Sequence, residues 1–316
     1  MSTGLITIFG GSGFIGHHLV GRLAAQGYRI RLAGRDTEKA ARLITQGNVG
    51  QIVGVQANIR NEASVRRAVA GAEIVINLVG LLYEAGEQTF EAVQAEGAKT
   101  VARAAKEAGA TQFLHLSALG ADEDSPSAYA RSKAKGEAAV RKRFPEAAII
   151  RPSVVFGKDD DFSNKFATLC SLSPVLPLVD GGKNLMQPVW VEDLVDALVK
   201  IIASPEAQGK VWEFGGPEQM PLNEIVSVIG AAIKRSPIIL PLPAKVMGFM
   251  GFFMGLWPGK PVLTTDQVRL LTTDNIVSGT CPGFAELGIE PVPFSIAALD
   301  HLRRFQKGGG LSELHA

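Results

Sequence analysis

The sequence predicts an α/β fold with a doubly wound parallel sheet and a smaller C-terminal lobe. Short apolar runs alternate with helical patterns through the first half of the chain, which is typical of a parallel sheet connected by crossover helices. A glycine-rich turn joins the first run to the first helix. The predicted strands are Leu5–Phe9, Tyr28–Ala33, Gln51–Gln56, Glu73–Val79, Gln112–Ser117 and Ala147–Arg151. The predicted helices after the first are Thr37–Thr45, Ala63–Val69, Glu87–Ala108 and Ser127–Arg143.

The composition is that of an ordinary globular protein. The chain has 316 residues, 46% of them hydrophobic and 20% charged, which is enough for one large domain and a smaller one. The formal net charge of +1 gives no sign of a nucleic acid partner. Cys170 and Cys281 lie far apart, which excludes a disulfide framework and fits a reducing compartment. Because the first strand begins at residue 5, we expect no signal or transit peptide, hence a bacterial chain or a processed one.

The turn after the first strand has the glycine spacing of a dinucleotide site. The pattern Gly11-x-Gly13-x-x-Gly16 lies between a strand and a helix, the context that separates such a site from a glycine-rich turn that binds nothing. Glycine permits the tight turn and lets the backbone approach a pyrophosphate, which the helix N-terminus attracts. The residues predicted to line the phosphates are Gly10, Gly11, Ser12, Gly13, Phe14, Ile15 and Gly16.

The end of the second strand favours NADP(H) over NAD(H). NAD-binding folds usually carry an acid at this point for the ribose hydroxyls, whereas a basic residue suits a 2′-phosphate. The chain reads Gly34-Arg35 here, and Asp36 is better placed to cap the next helix. NAD(H) is the alternative if Asp36 turns back towards the ribose. After the fourth strand, Leu78, Val79 and Gly80 are expected beside the ribose and nicotinamide.

The chemistry candidates follow the fifth strand. Tyr129 and Lys133 are four residues apart and share a helix face, where an ammonium is expected to lower the phenol pKa towards neutral pH. Lys133 also suits the nicotinamide ribose hydroxyls. Ser117, at the strand end, is placed to donate to a substrate carbonyl. A solvated helix face is the alternative interpretation of the Tyr129/Lys133 pair.

Together, the glycine pattern and Tyr129-x-x-x-Lys133 resemble the short-chain dehydrogenase/reductase superfamily in its extended or atypical branch. The run Gln187–Asp193 resembles the branch's strand-to-helix element, with Asp193 as a helix cap. More narrowly, several runs resemble the complex I alpha-subcomplex subunit 9 family, the nucleotide-binding accessory subunit. These runs are Tyr129–Glu137, Phe144–Gly157, Asp159–Phe166, Lys183–Asp193 and Leu270–Ile289.

This resemblance implies a Rossmann domain over residues 1–156, with its sheet completed by later segments, and an interwoven lobe over residues 157–316. The family is thought to hold NADPH as a fixture of a quinone-reducing assembly. The resemblance also implies cofactor contacts at Asn58, Pro152 and Val154. Asn58 replaces an acid that is frequent after strand three, and Gln94 replaces a frequent asparagine. Ala118 stands where many active relatives carry a second serine. These differences weigh against turnover more than against binding.

Two further stretches need an interpretation. Asp159, Asp160 and Asp161 are consecutive carboxylates without further ligands at metal spacing, so no metal site is predicted. The charge-free run Val246–Gly259 has 14 residues, too few to span a bilayer. One interpretation is a core helix or a substrate lid. The other is a helix that packs against a membrane protein or lies in the lipid interface, with Trp257 at headgroup level.

Two functional hypotheses follow from these observations. The first is an NADPH-binding accessory or assembly component of respiratory NADH:quinone oxidoreductase. It would contact subunits of that complex at the cytoplasmic face of a bacterial inner membrane, or on the matrix side in a mitochondrion. The second is an NADPH-dependent reductase or epimerase acting on a small apolar or quinone-type substrate. In it, Tyr129 is the acid–base group, Lys133 its activator and Ser117 the carbonyl donor.

Overall fold

The computed structural model describes residues 4–256 and 261–308. The chain divides into two compact units. The first unit is formed by Met1–Arg151, Leu194–Glu213 and Thr280–Ile289. The second unit is formed by Pro152–Asp193, Phe214–Gly279 and Glu290–Ala316.

The strands are short, as expected of buried parallel strands. They are β1 Leu5–Phe9, β2 Arg29–Gly34, β3 Ile52–Gln56, β4 Ile74–Asn77, β5 Gln112–Leu116, β6 Ala148–Pro152, β7 Val155–Phe156, β8 Val175–Val179, β9 Leu185–Met186, β10 Val189–Trp190, β11 Val211–Phe214, β12 Met220–Pro221 and β13 Ile238–Leu242. The helices are α1 Phe14–Ala25, α2 Thr37–Ala41, α3 Glu62–Val69, α4 Glu96–Glu107, α5 Ala128–Arg143, α6 Ser163–Leu172, α7 Val191–Ala203, α8 Leu222–Ala232, α9 Ala244–Leu256, α10 Thr265–Leu270 and α11 Phe294–Leu302.

Seven strands of the described residues form the central sheet, in the order β3-β2-β1-β4-β5-β6-β11. Neighbouring strands from β3 to β6 are parallel, with β1 paired to β2 on one side and to β4 on the other. The chain therefore builds outwards from β1 in both directions, and the predicted doubly wound α/β fold is confirmed. This arrangement places the carboxyl ends of β1 and β4 side by side, where open α/β sheets bind their ligands.

The apolar strand and helix faces supply the core of the first unit. Ile6 and Ile8 of β1 are fully buried, as are Leu19 and Leu23 of α1. Ile15, in the first turn of the same helix, is half-buried. A second cluster packs α3 and α4 over the sheet through residues such as Val65, Val101 and Phe113.

Two predicted helices differ from the structure. The helix predicted over Thr37–Thr45 is α2, which ends at Ala41, and a separate 3₁₀ turn covers Ile44–Gln46. The helix predicted from Glu87 begins later, because Ala85 and Gln88 form a bridged turn. Its first turn, Glu91–Ala95, is a π-helix before α4 starts.

The second unit is built from small elements around its own core. Three two-stranded sheets pair β7 with β10, β9 with β12, and β8 with β13. Fully buried Phe156 and Phe294 meet edge-to-face in this core, with ring centroids 4.8 Å apart. Asp193, predicted as a helix cap, lies in the first turn of α7, and its Oδ2 accepts from Val292 N at 2.7 Å. Among the described helices, none has both the length and the apolarity needed to cross a membrane.

Candidate functional site

The glycine turn predicted from sequence joins β1 to α1 and touches the end of β4. Gly10 has a φ of 77°, in the left-handed region that favours glycine. A Cβ at Gly10 would lie 3.1 Å from both the Leu78 carbonyl carbon and Val79 N. A Cβ at Gly16 would lie 2.6 Å from the Cα of Gly11. The turn thus needs glycine at both positions, and its backbone is held against two other residues predicted to bind the cofactor.

The N-terminus of α1 is a suitable anion site. Its N-cap is Gly13, and no side chain among the described residues caps it. The first intrahelical bond runs from His17 N to Gly13 O at 2.8 Å, so the N–H groups of Phe14, Ile15 and Gly16 come before the helical ladder begins. Ser12 and Gly13 are exposed. Unpaired N–H groups and the positive end of a 12-residue helix together favour a pyrophosphate.

Arg35 and Asp36 have separate environments after β2. Asp36 caps α2, because its Oδ1 accepts from Glu38 N at 3.0 Å and from Lys39 N at 3.3 Å, as the sequence predicts. Arg35 is exposed and forms no ion pair within the described part of the chain. The guanidinium therefore remains available to an incoming phosphate, while the neighbouring carboxylate is committed to the helix.

Two predicted site residues, Gly80 and Lys133, come together with Gln94 near the end of β4. A Cβ at Gly80 would lie 3.3 Å from Lys133 Nζ and 3.5 Å from Gln94 Oε1. Gln94 sits in the π-helical turn, donates to Ser132 Oγ at 2.7 Å and accepts from Leu81 N at 3.3 Å. The side chain that replaces the expected asparagine therefore ties the loop after β4 to α5. A π-turn at this position is a frequent mark of a functional site.

Tyr129 and Lys133 lie on one face of α5, as predicted. Lys133 is 4% exposed, and its Nζ donates to Leu116 O at 3.1 Å and lies 5.8 Å from the centre of the Tyr129 ring. Burial lowers the pKa of Lys133 to about 8, opposed by the negative charge of Glu137. Burial raises the pKa of Tyr129 to about 12. The expected lowering of the phenol pKa is thus wrong for this structure, because desolvation of the phenol moves its pKa in the opposite direction.

Strand β5 and the residue that follows it contribute two buried polar side chains. Ser117 is 3% exposed and His115 is 1% exposed. Within the described residues, neither Ser117 Oγ nor His115 Nε2 has a hydrogen-bond partner. His115 Nδ1 lies 3.3 Å from Asn77 Nδ2, and burial, followed by the charge of Lys133, lowers the His115 pKa to about 3. Orphaned buried groups of this kind are expected where a ligand completes the site.

An ion cluster that was not predicted from the sequence includes Glu137, one helical turn after Lys133. Arg151 binds Glu137 with two hydrogen bonds, Nε to Oε1 at 2.9 Å and Nη2 to Oε2 at 2.7 Å. Glu213 Oε1 lies 3.6 Å from Arg151 Nη1, and both glutamates are almost fully buried. The spacing Tyr129, Lys133, Glu137 repeats every four residues, and this was the available signal. The two hydrogen bonds from Arg151 hold the Glu137 carboxylate in place, and its negative charge raises the pKa of Lys133.

The remaining predicted residues are spread over both units. Asn58 lies in the loop from β3 to α3, and its Oδ1 accepts from Arg60 N at 3.1 Å. Pro152 is the last residue of β6, and Val154 N donates to Asn275 Oδ1 at 3.2 Å in the second unit. Asp160, just before α6, accepts at its Oδ1 from Phe162 N at 2.8 Å and from Asn164 N at 3.1 Å. Among the described residues, no three potential metal ligands are grouped together.

Comparison with known proteins places this geometry in a family. Residues 6–215 match the model of the NAD dependent epimerase/dehydratase family. The chain belongs to this family. The matched range takes in the glycine turn, the Tyr129/Lys133 pair and β11. The predicted short-chain dehydrogenase-type Rossmann fold is thereby confirmed.

Relatives within the family are named for two different roles. The chain is 37% identical to subunit 9 of the NADH dehydrogenase [ubiquinone] 1 alpha subcomplex of Mus musculus, over 94% of this chain and 79% of that protein. This confirms the predicted resemblance. The chain is also 35% identical to a ceramide reductase of Caulobacter vibrioides, over 64% of this chain and 62% of that protein. The solved triphenylmethane reductase of Citrobacter sp., complexed with NADP(H), has the same fold, with a TM-score of 0.74 at 16% identity and coverage of 94% and 99% of the two chains.

The residues present fit the nicotinamide dinucleotide that the family binds. The α1 N-terminus offers N–H groups, and the turn before it would be blocked by a Cβ at Gly10. Lys133 and the orphaned Ser117 hydroxyl lie at the carboxyl end of β5. When bound, the nicotinamide supplies or accepts a hydride. With the nucleotide bound, the N-terminus of α1 would hold its phosphates, Lys133 would supply an ammonium and Tyr129 a phenolic proton.

Proposed function

We propose that this protein is an NADP(H)-binding accessory or assembly component of respiratory NADH:quinone oxidoreductase (complex I). The observation that carries the proposal is the 37% identity to the mouse subunit over 94% of this chain. The similarity extends into the second unit. Two proteins that shared only a nucleotide-binding domain would not need to be similar there. The nucleotide is held by residues 1–156 as a structural or sensing ligand.

The environment after β2 supports NADP(H) as that ligand. Arg35 is exposed, and Asp36 is engaged as the cap of α2. A guanidinium can make two parallel hydrogen bonds to a phosphate, whereas a capping carboxylate is withdrawn from the ribose hydroxyls. The 2′-phosphate of NADP(H) is therefore the better match, and NAD(H) is the weaker ligand.

The proposed location follows from the partner. A bacterial protein of this kind would lie on the cytoplasmic face of the inner membrane, and a eukaryotic one on the matrix side of the mitochondrial membrane. Subunits of the oxidoreductase would be its partners there.

The test is co-migration with the enzyme complex. Membranes from cells that express the tagged protein are gently solubilised and separated on a native gel stained for NADH:quinone oxidoreductase activity. We expect the tag to travel with the active band. The accessory role would be refuted if the tagged protein migrates as a small species in every detergent and if its deletion leaves the active band unchanged.

One observation favours a second candidate function. The chain retains Tyr129 and Lys133, and the Tyr129 phenol is protonated at neutral pH, which is the form that donates a proton when a carbonyl is reduced. The alternative is thus an NADPH-dependent reductase or epimerase for a small apolar or quinone-type substrate, and the similarity to a ceramide reductase supports an apolar substrate.

A Tyr129→Phe variant separates the two functions, because the loss of one hydroxyl removes the acid and leaves the glycine turn and Arg35 intact. An accessory subunit should restore oxidoreductase assembly in a deletion strain as well as wild type does. An enzyme should fail to complement while still binding NADPH.

A further inference from the structure

Helix α9 exposes large apolar side chains along one side. Phe249 is 67% exposed, Phe252 57% and Phe253 55%, and Val246 is also exposed. The spacing of Val246, Phe249 and Phe253 is i, i+3, i+7, which defines a single stripe on a helix. We call these four residues the α9 face. In a helix surrounded by water, this side would carry polar residues.

The opposite side of α9 is packed, so the outward direction of the α9 face is fixed by the fold. Met247 is 5% exposed and packs with Val179 and Val268. Thr265 Oγ1 donates to Gly248 O at 3.1 Å, and a Cβ at Gly251 would lie 3.0 Å from Thr265 N. The small residues of this helix therefore serve contact with α10, and the phenylalanines point away from it.

The strand that leads into α9 continues the apolar character. Ile238 and Leu240 of β13 are 66% and 45% exposed, and alternation along a strand directs both to the same side. Val175, the partner of Ile238 in β8, is also exposed. Trp257, which the sequence suggested as a headgroup-level residue, lies outside the described residues.

Charge along this segment has one sign. Residues 225–265 contain no Asp or Glu, and their basic residues are Lys234, Arg235, Lys245 and Lys260. Lys245 is exposed and lies four residues before Phe249, on the same side of α9. Lysine beside exposed phenylalanine matches a surface with anionic groups above an apolar layer.

We propose that the α9 face is a docking surface for an anionic phospholipid bilayer, with its phenylalanines inserted below the headgroups and Lys245 at the phosphates. The 13 residues of α9 extend about 20 Å, against about 30 Å for the hydrocarbon core, so the helix lies in the interface plane. A protein partner would need hydrogen-bonding groups on this side, since interfaces carry about one hydrogen bond per 100–200 Å². The α9 face consists of hydrocarbon alone.

The proposal rests on the accessory role for the identity of the membrane. Binding of the purified protein to lipid is tested without the oxidoreductase. The purified full-length protein is floated with vesicles of phosphatidylcholine, or of phosphatidylcholine with a quarter phosphatidylglycerol. We expect the wild-type protein to float with the anionic vesicles. The double variant Phe249→Ser/Phe253→Ser should bind them at least about tenfold more weakly. Ile296→Ser, a change at an equally exposed apolar residue of α11, should bind as wild type does. Lys245→Glu should abolish the preference for anionic lipid. Thermal unfolding checks that each variant is folded.

Several outcomes would overturn the proposal. Wild-type protein that does not float, or that binds both vesicle types equally, lacks the predicted surface. A dimer in sedimentation velocity that the double Phe variant dissociates would identify a second copy as the occupant. Loss of co-migration with the oxidoreductase in that variant, without any lipid binding by wild type, would identify a protein occupant. Failure of flotation alone leaves the accessory role standing, because native-gel co-migration is measured separately.

Discussion

The Nζ of Lys133 donates to the carbonyl oxygen of Leu116 at 3.1 Å, and this bond fixes an ammonium of α5 at the carboxyl end of β5. The same Nζ lies close to Gly80 after β4. Two strands and one helix thus converge on a single buried charge. Burial is the first cause of the pKa shifts of Lys133, Tyr129 and His115.

Replacement of Lys133 should change how stability depends on pH. The Lys133 pKa is about 8 in the folded protein against 10.5 in the unfolded chain, so the unfolded state binds more protons between these values and stability rises with pH. Above pH 10 the raised pKa of Tyr129 acts in the opposite direction. We expect urea unfolding of wild type to show a gain of about 2 kcal/mol from pH 7.5 to 9.5. Lys133→Met should lose this gain, and Lys135→Met, exposed on the same helix, should keep it.

His115 should make the protein sensitive to acid. Its pKa is about 3 when folded against 6.5 when unfolded, so the folded state binds fewer protons in this range and stability falls as the pH decreases from 6.5 towards 3. His115→Asn should flatten the decline in thermal melting temperature between pH 6.5 and 4.5. His17→Asn, an exposed site, is the control. An unchanged slope in His115→Asn would show that another group carries the acid sensitivity.

Arg35→Asp should reverse the nucleotide preference. Loss of charge-assisted hydrogen bonds to the 2′-phosphate costs about 1.5–3 kcal/mol, which corresponds to a tenfold to hundredfold weaker NADPH affinity. Titration calorimetry with NADPH and NADH measures both affinities. Arg29→Asp, at the opposite end of β2, should leave them unchanged. Equal losses for both nucleotides in Arg35→Asp would contradict a contact with the 2′-phosphate.

Gly16→Ala should remove nucleotide binding and destabilise the fold. The new Cβ would meet the Gly11 backbone at 2.6 Å, and overpacking of this kind costs about 1–3 kcal/mol. Gly21→Ala in the same helix approaches only the end of the flexible Gln46 side chain, at 3.2 Å, so it should bind as wild type does. Urea unfolding and NADPH fluorescence titration compare the two variants.

Local sequence signals were sufficient for the sheet and for most of the site. The alternation of apolar runs and helical patterns predicted β1 to β6, and the glycine spacing predicted the turn that contacts Leu78 and Val79. The capping role of Asp36 followed from its position before α2. These features depend on neighbours in the chain, which a sequence displays directly.

Features that depend on distant residues were not predictable in the same way. The ion pair of Arg151 with Glu137 joins β6 to α5. The four-residue spacing places Glu137 on the helix face of Lys133, but it does not identify Arg151 as the partner. The upward shift in the pKa of Tyr129 depends on how much water the fold removes, which spacing on a helix does not reveal. The π-turn at Gln94 likewise required the structure, since its sequence is that of an ordinary helix.

The last strand of the central sheet has a consequence for how this protein is made. Strand β11 hydrogen-bonds β6 through Lys210 O and Ile149 N at 2.9 Å, although about sixty residues separate the two strands in the chain. During synthesis, β6 can pair with β5, but its other edge stays unpaired until residues 211–214 leave the ribosome. Exposed edges of this kind recruit other strands. Chaperone binding to the nascent chain is expected to be concentrated in that interval, and truncated chains that end before β11 are expected to aggregate.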